Sequence, residues 1–182
     1  QITDQAQGRV AFGGGEVFFD DLCKIGQSGE VMAGGGLITL LSNDFNNDET
    51  LADTYRSQLC SGQDNSPQLN WTGVPVDAAS LVIIVSDADA NNFTHWSIYN
   101  IPVATTLLNR NANAPSGATE LVNYVGPCPP IDDGINHRYV FKIYALDADI
   151  MGSVNNIADL RIEMDGKVIA CGQITGRYER SS

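Results

Sequence analysis

Residues 81–85 (Leu81, Val82, Ile83, Ile84 and Val85) are apolar without interruption and mostly β-branched. A run this short with no polar position fits a strand buried on both faces. Two further runs, 96–101 and 139–146, combine aromatic and β-branched residues in the same manner and predict strands. Stretches 36–41 and 172–178 read as additional strands. Segments rich in Asn, Asp, Gly and Pro lie between them, at 43–50, 63–67, 109–117 and 126–134, and predict loops. One helix is expected over 157–170, with apolar residues at 157, 158, 160, 162, 164, 168 and 169 and Asp159 in its first turn. Gly166 costs that helix about 1 kcal/mol relative to Ala and marks where it would break. A shorter helix is expected over 51–59. No internal repeat and no dividing linker is visible. The pattern predicts one mainly β domain spanning 1–182, with few helices at its periphery.

A chain of 182 residues can build a proper core, burying about 70% of its unfolded surface on folding. No apolar run approaches the roughly 20 residues that a membrane-spanning helix needs. No basic stretch followed by an apolar core opens the chain, so the sequence as given carries no signal peptide. A mature form from which one has been removed fits equally well.

Charge narrows the partners. The formal net charge is −12, and the 10 basic residues are scattered along the chain. Such a field disfavours nucleic acid and anionic lipid surfaces, so neither nucleic-acid binding nor stable membrane association is expected. Any anion must be held by local donors in a concave site. The cysteines are Cys23, Cys60, Cys128 and Cys171, an even number without a CxxC pair, and four cysteines allow three pairings. Their spacing is poor for zinc. Few lysines, Asn/Asp/Gly-rich loops and paired cysteines favour an exported protein, periplasmic or extracellular, over a cytoplasmic one.

Candidate chemistry gathers at strand ends. Asp87 and Asp89 follow the 81–85 strand, and alternation along a continued strand would turn both carboxylates towards one pocket. His95 opens the next strand, and a proline-rich turn at 126–130 precedes His137. These are the only two histidines of the chain. Taken singly, each segment has a bland reading: a solvated turn, a packed histidine, an ordinary loop. Their coincidence is more telling, since both histidines sit at strand starts beside acidic or proline-rich loops.

Residues 66–102 and 124–146 resemble the phosphatidylethanolamine-binding protein family, which includes the Raf kinase inhibitor protein. The matching residues are Ser66-Pro67-Gln68-Leu69-Asn70-Trp71, Gly73-Val74-Pro75, Asp87-Ala88-Asp89-Ala90, His95-Trp96, Tyr99-Asn100-Ile101-Pro102, Gly126-Pro127 and His137-Arg138-Tyr139. The ending, Gly166-Lys167-Val168-Ile169-Ala170 with Gly176-Arg177-Tyr178, is similar to the family's bacterial branch. The resemblance implies a β-sandwich-like fold, with a central antiparallel sheet packed on a smaller sheet, and an anion pocket lined by Asp87, Asp89, His95, Gly126, Pro127, His137 and Tyr139. Family members hold phosphate, phosphoethanolamine head groups or acetate there, and no cofactor is implied. Residues 1–59 form a divergent part of the same domain. The family's usual Asp-Pro-Asp-Ala-Pro reads Asp87-Ala88-Asp89-Ala90-Asn91 here, and the loss of both prolines is expected to loosen the loop before His95.

The physical logic agrees. Two imidazoles supply donors and, when protonated, charge, while Asp87 accepts from one imidazole or is itself protonated and donates. The expected function is therefore non-enzymatic binding of a small anionic ligand. Three rivals stand beside it. Inhibition of a kinase or serine peptidase follows from the resemblance. A hydrolase would use Ser86, Ser97 or Cys128, although no GxSxG elbow is present. A metal site would use Asp87, His95 and His137 as a facial triad. Since Cys60 precedes the Ser66-Pro67 motif and Cys128 lies in the pocket turn, a Cys60–Cys128 bridge is expected, leaving Cys23 with Cys171.

Overall fold

The structure, a computed structural model, describes residues 2–4, 9–12, 15–18 and 36–182. Near the start, β1 (Ile2–Asp4), β2 (Arg9–Phe12) and β3 (Gly15–Phe18) form a three-stranded antiparallel sheet. The rest is organised by two long antiparallel neighbours, β8 (Ser80–Asp87) and β12 (His137–Leu146). Before β8 come β4 (Gly36–Leu37), β5 (Thr39–Leu41), β6 (Glu49–Thr50) and β7 (Leu69–Thr72). Between β8 and β12 lie β9 (Phe93–Pro102), β10 (Leu107–Leu108) and β11 (Thr119–Val122). A helix, α1 (Ile157–Met164), and β13 (Val168–Tyr178) complete the chain.

The central sheet runs β11-β9-β8-β12-β13-β4, with β6 also pairing β13. Its long strands are antiparallel, while β4 and β6 run parallel to β13. A smaller antiparallel sheet, β10-β7-β5, packs on one of its faces.

Alternation explains why β8 reads as one apolar run. Leu81, Ile83 and Val85 join the main core with Trp96, Phe141, Ile143 and Trp71 of the small sheet. Val82 and Ile84 face the other way, into a second cluster with Tyr144, Leu146, Leu160 and Met164, the last two from α1. Both faces are covered, so no polar residue is tolerated there. Truncating a fully buried aromatic such as Phe141 to Ala would cost about 3–5 kcal/mol.

Four local expectations need correction. The helix expected over 157–170 stops at Met164, because Gly166 takes a positive φ of 73° and Val168 onward pairs with β12. Asn156 caps its start, its side chain accepting from Asp159 N at 2.9 Å. The helix expected over 51–59 is instead two short 3₁₀ turns, Asp53–Tyr55 and Gln58–Cys60, broken at Ser57. The 36–41 stretch divides at Ile38 between the two sheets, with β4 on β13 and β5 on β7. Strands β7, β10 and β11 carried no strong pattern, being short and partly exposed, and the loop expected at 43–50 includes β6.

Cys60 and Cys128 are bonded, with Cα atoms 5.5 Å apart. Cys171 is a free thiol buried in the apolar cluster under α1, so it makes no bridge; Cys23 lies outside the described residues.

Candidate functional site

Sheet register brings the chemistry together. Tyr139 stands opposite Asp87 in the β8–β12 ladder, and Asp87 stands opposite Phe93, two residues before His95. One end of the central sheet therefore holds Asp87, Phe93, His95, His137 and Tyr139. The 124–130 turn closes over them and leaves a cavity of about 240 Å³ between His95 and His137, with Gly126, Cys128, Pro129 and Pro130 on its wall.

That turn is fastened to the 55–64 segment. Gly126 N donates to Asp64 Oδ1 at 2.7 Å, Ser57 N donates to the Pro127 carbonyl at 3.1 Å, and the Tyr124 hydroxyl donates to the Tyr55 carbonyl at 2.8 Å. A Cβ on Gly126 would sit 2.3 Å from Arg56 C and 2.4 Å from Ser57 N, so only glycine allows this approach. The disulfide completes the clamp. Sequence reasoning assigned 51–59 no part in the site, yet Ser57 and Leu59 line the cavity.

His95 is buried, and its Nδ1 donates to the Val125 carbonyl at 2.6 Å while its own carbonyl accepts from Val125 N. A carbonyl can only accept, so the proton resides on Nδ1 and the neutral ring keeps Nε2 as an acceptor. Burial depresses the His95 pKa, outweighing the Val125 carbonyl and the more distant Asp87.

His137 is the opposite case. Its Nδ1 lies 2.7 Å from Asp87 Oδ2 and its Nε2 lies 2.9 Å from Asp133 Oδ2. Two ionised carboxylates, one at each nitrogen, favour a hydrogen on both and so the imidazolium form. Burial works against the charge, but the hydrogen bonds to Asp133 and Asp87 prevail and raise its pKa. The same bond, with the Ile135 N–H, lowers the pKa of Asp133. Tyr139 separates the two imidazoles, edge-on to His95 at 5.2 Å and stacked against His137 at 6.3 Å. Burial, then Asp87, pushes its hydroxyl well above the usual tyrosine range.

Two of the expected pocket residues stand elsewhere. Asp89 does not share the cavity with Asp87, because the strand ends at Asp87 and the chain turns, which cancels the alternation. Its carboxylate instead clasps the Arg138 guanidinium, at 3.0 Å from Nε and 2.7 Å from Nη2, and that bond lowers its pKa. Pro127 lies behind the lining, its carbonyl spent on Ser57. Conversely Phe93, Val125 and Asp133 belong to the site without having been singled out. An acid four residues before His137 was the available signal for Asp133.

A sequence profile of the family described as phosphatidylethanolamine-binding protein matches residues 41–179. The chain belongs to that family. It is 37% identical over 161 residues to a UPF0098 protein of Aquifex aeolicus, covering 81% of this chain and 92% of the relative. It is also similar to the crystal structure of YbcL of Escherichia coli, described as a member of the mammalian PEBP family, with TM-score 0.71 and 29% identity over 78% of this chain and 98% of that one. The structure of CT736, a PEBP homologue of Chlamydia trachomatis, gives TM-score 0.68 and 31% identity over 81% and 99%.

Within this phosphatidylethanolamine-binding protein fold, both lost prolines have a structural reason. Ala88 N donates to the Arg138 carbonyl at 2.9 Å, a bond proline cannot make. Asn91 and Asn92 have φ of 53° and 55°, a region closed to proline and open to asparagine. The turn before His95 therefore uses a backbone hydrogen bond and left-handed φ values that proline does not allow.

Proposed function

We propose that this family member is a binding protein whose cavity takes a small oxyanion, such as phosphate or a phosphoethanolamine-type head group. The observation that supports this reading most directly is the His137 ring held between the Asp87 and Asp133 carboxylates, which favour its charged form. It holds an outer carboxylate, Asp133, at Nε2, the place an incoming anion would take over. His95 complements it with an Nε2 acceptor suited to the O–H of monohydrogen phosphate or the N–H of an ammonium group. Asp87 orients His137 from behind.

The arrangement favours binding over the hydrolase reading. Cys128 is tied to Cys60 and has no thiolate to offer. The Ser97 hydroxyl is buried and has no hydrogen-bond partner among the described residues, so neither histidine activates it. The facial-triad reading fits poorly too, since both His137 nitrogens face carboxylates.

Calorimetric titration with phosphate at a series of pH values above the ordinary histidine pKa of about 6.5 tests the proposal. Affinity should fall as pH rises through the His137 titration, and His137→Gln should cost roughly tenfold or more, the scale of a charge-assisted hydrogen bond. A flat pH profile with an unaffected variant would overturn it.

A further inference from the structure

The Cys60–Cys128 bridge ends on both sides at the wall of the cavity. Leu59, next to Cys60, and the run from Cys128 to Pro130 all line the space between the histidines. The two sulfurs have different surroundings. Cys60 is only 9% exposed, while Cys128 is partly exposed and borders the cavity. The Arg180 guanidinium stands beside Cys128, its Nη1 4.0 Å from the sulfur. Exposure and a neighbouring cation are the conditions that make a cysteine sulfur reactive, and exposed bridges are the ones open to exchange. Cys171, by contrast, is sealed in the apolar cluster under α1.

The bridge holds a part of the turn that the fastening hydrogen bonds do not reach. The bonds from Tyr124 and Gly126 and the one to the Pro127 carbonyl all lie before Cys128. Pro129 and Pro130 follow it, and neither has an N–H to donate. On the other side, Leu59 is 87% exposed and reaches the cavity from a 3₁₀ turn that ends at Cys60. Opening the bridge therefore frees two stretches of wall from each other, while the three hydrogen bonds keep the fold.

We propose that the Cys60–Cys128 bridge is a thiol-exchange site through which a dithiol reductant lowers the cavity's affinity for its anion. This rests on the oxyanion reading of the cavity. A thiolate of the dithiol attacks Cys128 Sγ, drawn in by the Arg180 charge. A mixed disulfide forms as the bond to Cys60 breaks, and Cys60 leaves as a thiolate that takes up a proton. The second thiol of the reductant then loses its proton and attacks the first sulfur. That step closes the reductant's own disulfide and releases Cys128 as a thiolate beside Arg180. Two electrons have passed from the dithiol to the bridge, and exchange with an oxidised partner reverses them. Once the bridge is open, Leu59, Pro129 and Pro130 lose their fixed separation, and an incoming anion must order them again.

Phosphate calorimetry on the intact chain, before and after millimolar dithiothreitol without denaturant, tests this. Alkylation followed by peptide mass spectrometry reads the state of each cysteine. The expected result is alkylation of both Cys60 and Cys128, with phosphate affinity lowered about three- to tenfold, the cost of re-ordering one or two side chains on binding. Reoxidation should restore the affinity. The double variant Cys60→Ser with Cys128→Ser should bind as the reduced protein does and ignore the reductant, which removes Cys23 and Cys171 as causes. Arg180→Gln should slow the reduction several-fold. A bridge that survives the reductant in the folded protein would overturn the proposal, as would full reduction with unchanged affinity. The imidazole resonances of His95 and His137 report on the cavity without ligand and should shift on reduction. If the oxidised protein binds no phosphate, the oxyanion reading fails, and unshifted imidazole resonances would then overturn the exchange site too.

Discussion

Asp133 accepts the Nε2 hydrogen of His137 at 2.9 Å, on the ring nitrogen opposite the one that Asp87 holds at 2.7 Å. Asp133 belongs to an exposed loop, and Gly134 beside it has a φ of 73° with open space around it. An anion approaching His137 thus competes with a carboxylate already in place and repelled by its charge. Asp133→Ala should tighten phosphate binding at pH 6.5 by roughly two- to fivefold, the scale of a partly buried ion pair screened from one side. Calorimetry decides: weaker binding in the variant would make Asp133 a ligand-holding group instead of a competitor.

The same pair makes stability pH-dependent in a specified direction. The folded state raises the pKa of His137, so its contribution is fully present below the unfolded value of about 6.5 and is lost as pH rises through the folded value. His95, depressed by burial, acts oppositely and costs stability as pH falls below about 6.5. Comparing wild type with His137→Gln leaves the His95 effect in both proteins. The melting-temperature gap between them should be widest near pH 6 and narrow as pH rises through the folded His137 titration. A gap that widens with pH would reverse the assigned charge state of His137.

Asn91 offers a backbone test. Restoring the family's residue, Asn91→Pro, forces φ near −65° where the chain needs 53°, and should destabilise by more than about 1 kcal/mol. Asn91→Gly should stay within about 0.5 kcal/mol of wild type, because glycine accepts this region without steric cost. Ala88→Pro should lose about 0.5–1.5 kcal/mol with the hydrogen bond to the Arg138 carbonyl. Urea unfolding of the three variants checks the order. If Asn91→Pro is the most stable of them, the left-handed turn is not the native one.

These cases show which parts were legible in the residues. Strands β8 and β12 could be read because burial on both faces leaves an unbroken apolar signature. The two histidines could be placed because each opens a strand at the same end of the sheet. The 51–59 segment misled, since its conformation is set by distant partners, Pro127 and Cys128, and not by local propensity. Asp89 misled for the converse reason: alternation holds within a strand and ends with it, and the strand ends at Asp87. Asp133 reaches His137 through a loop whose geometry no period describes.

The Cys60–Cys128 bridge unites these themes, because it joins the misread segment to the wall of the cavity. It spans 68 residues of sequence, and closing a loop of that size restricts the unfolded chain by about 4 kcal/mol in the entropic model. Three hydrogen bonds between the same segments would survive its loss, so the native fold should persist at reduced stability. The double variant Cys60→Ser with Cys128→Ser should therefore lose about 2–4 kcal/mol by urea unfolding. Since Cys128 forms part of the cavity wall, phosphate affinity should fall as well, through a turn that is less well held against Ser57 and Leu59. Loss of stability with unchanged affinity would mean that Gly126 and its bond to Asp64 suffice to position the turn. Adding Gly126→Ala, whose Cβ meets backbone at 2.3 Å, would then have to abolish binding for the clamp to remain the reason the cavity exists.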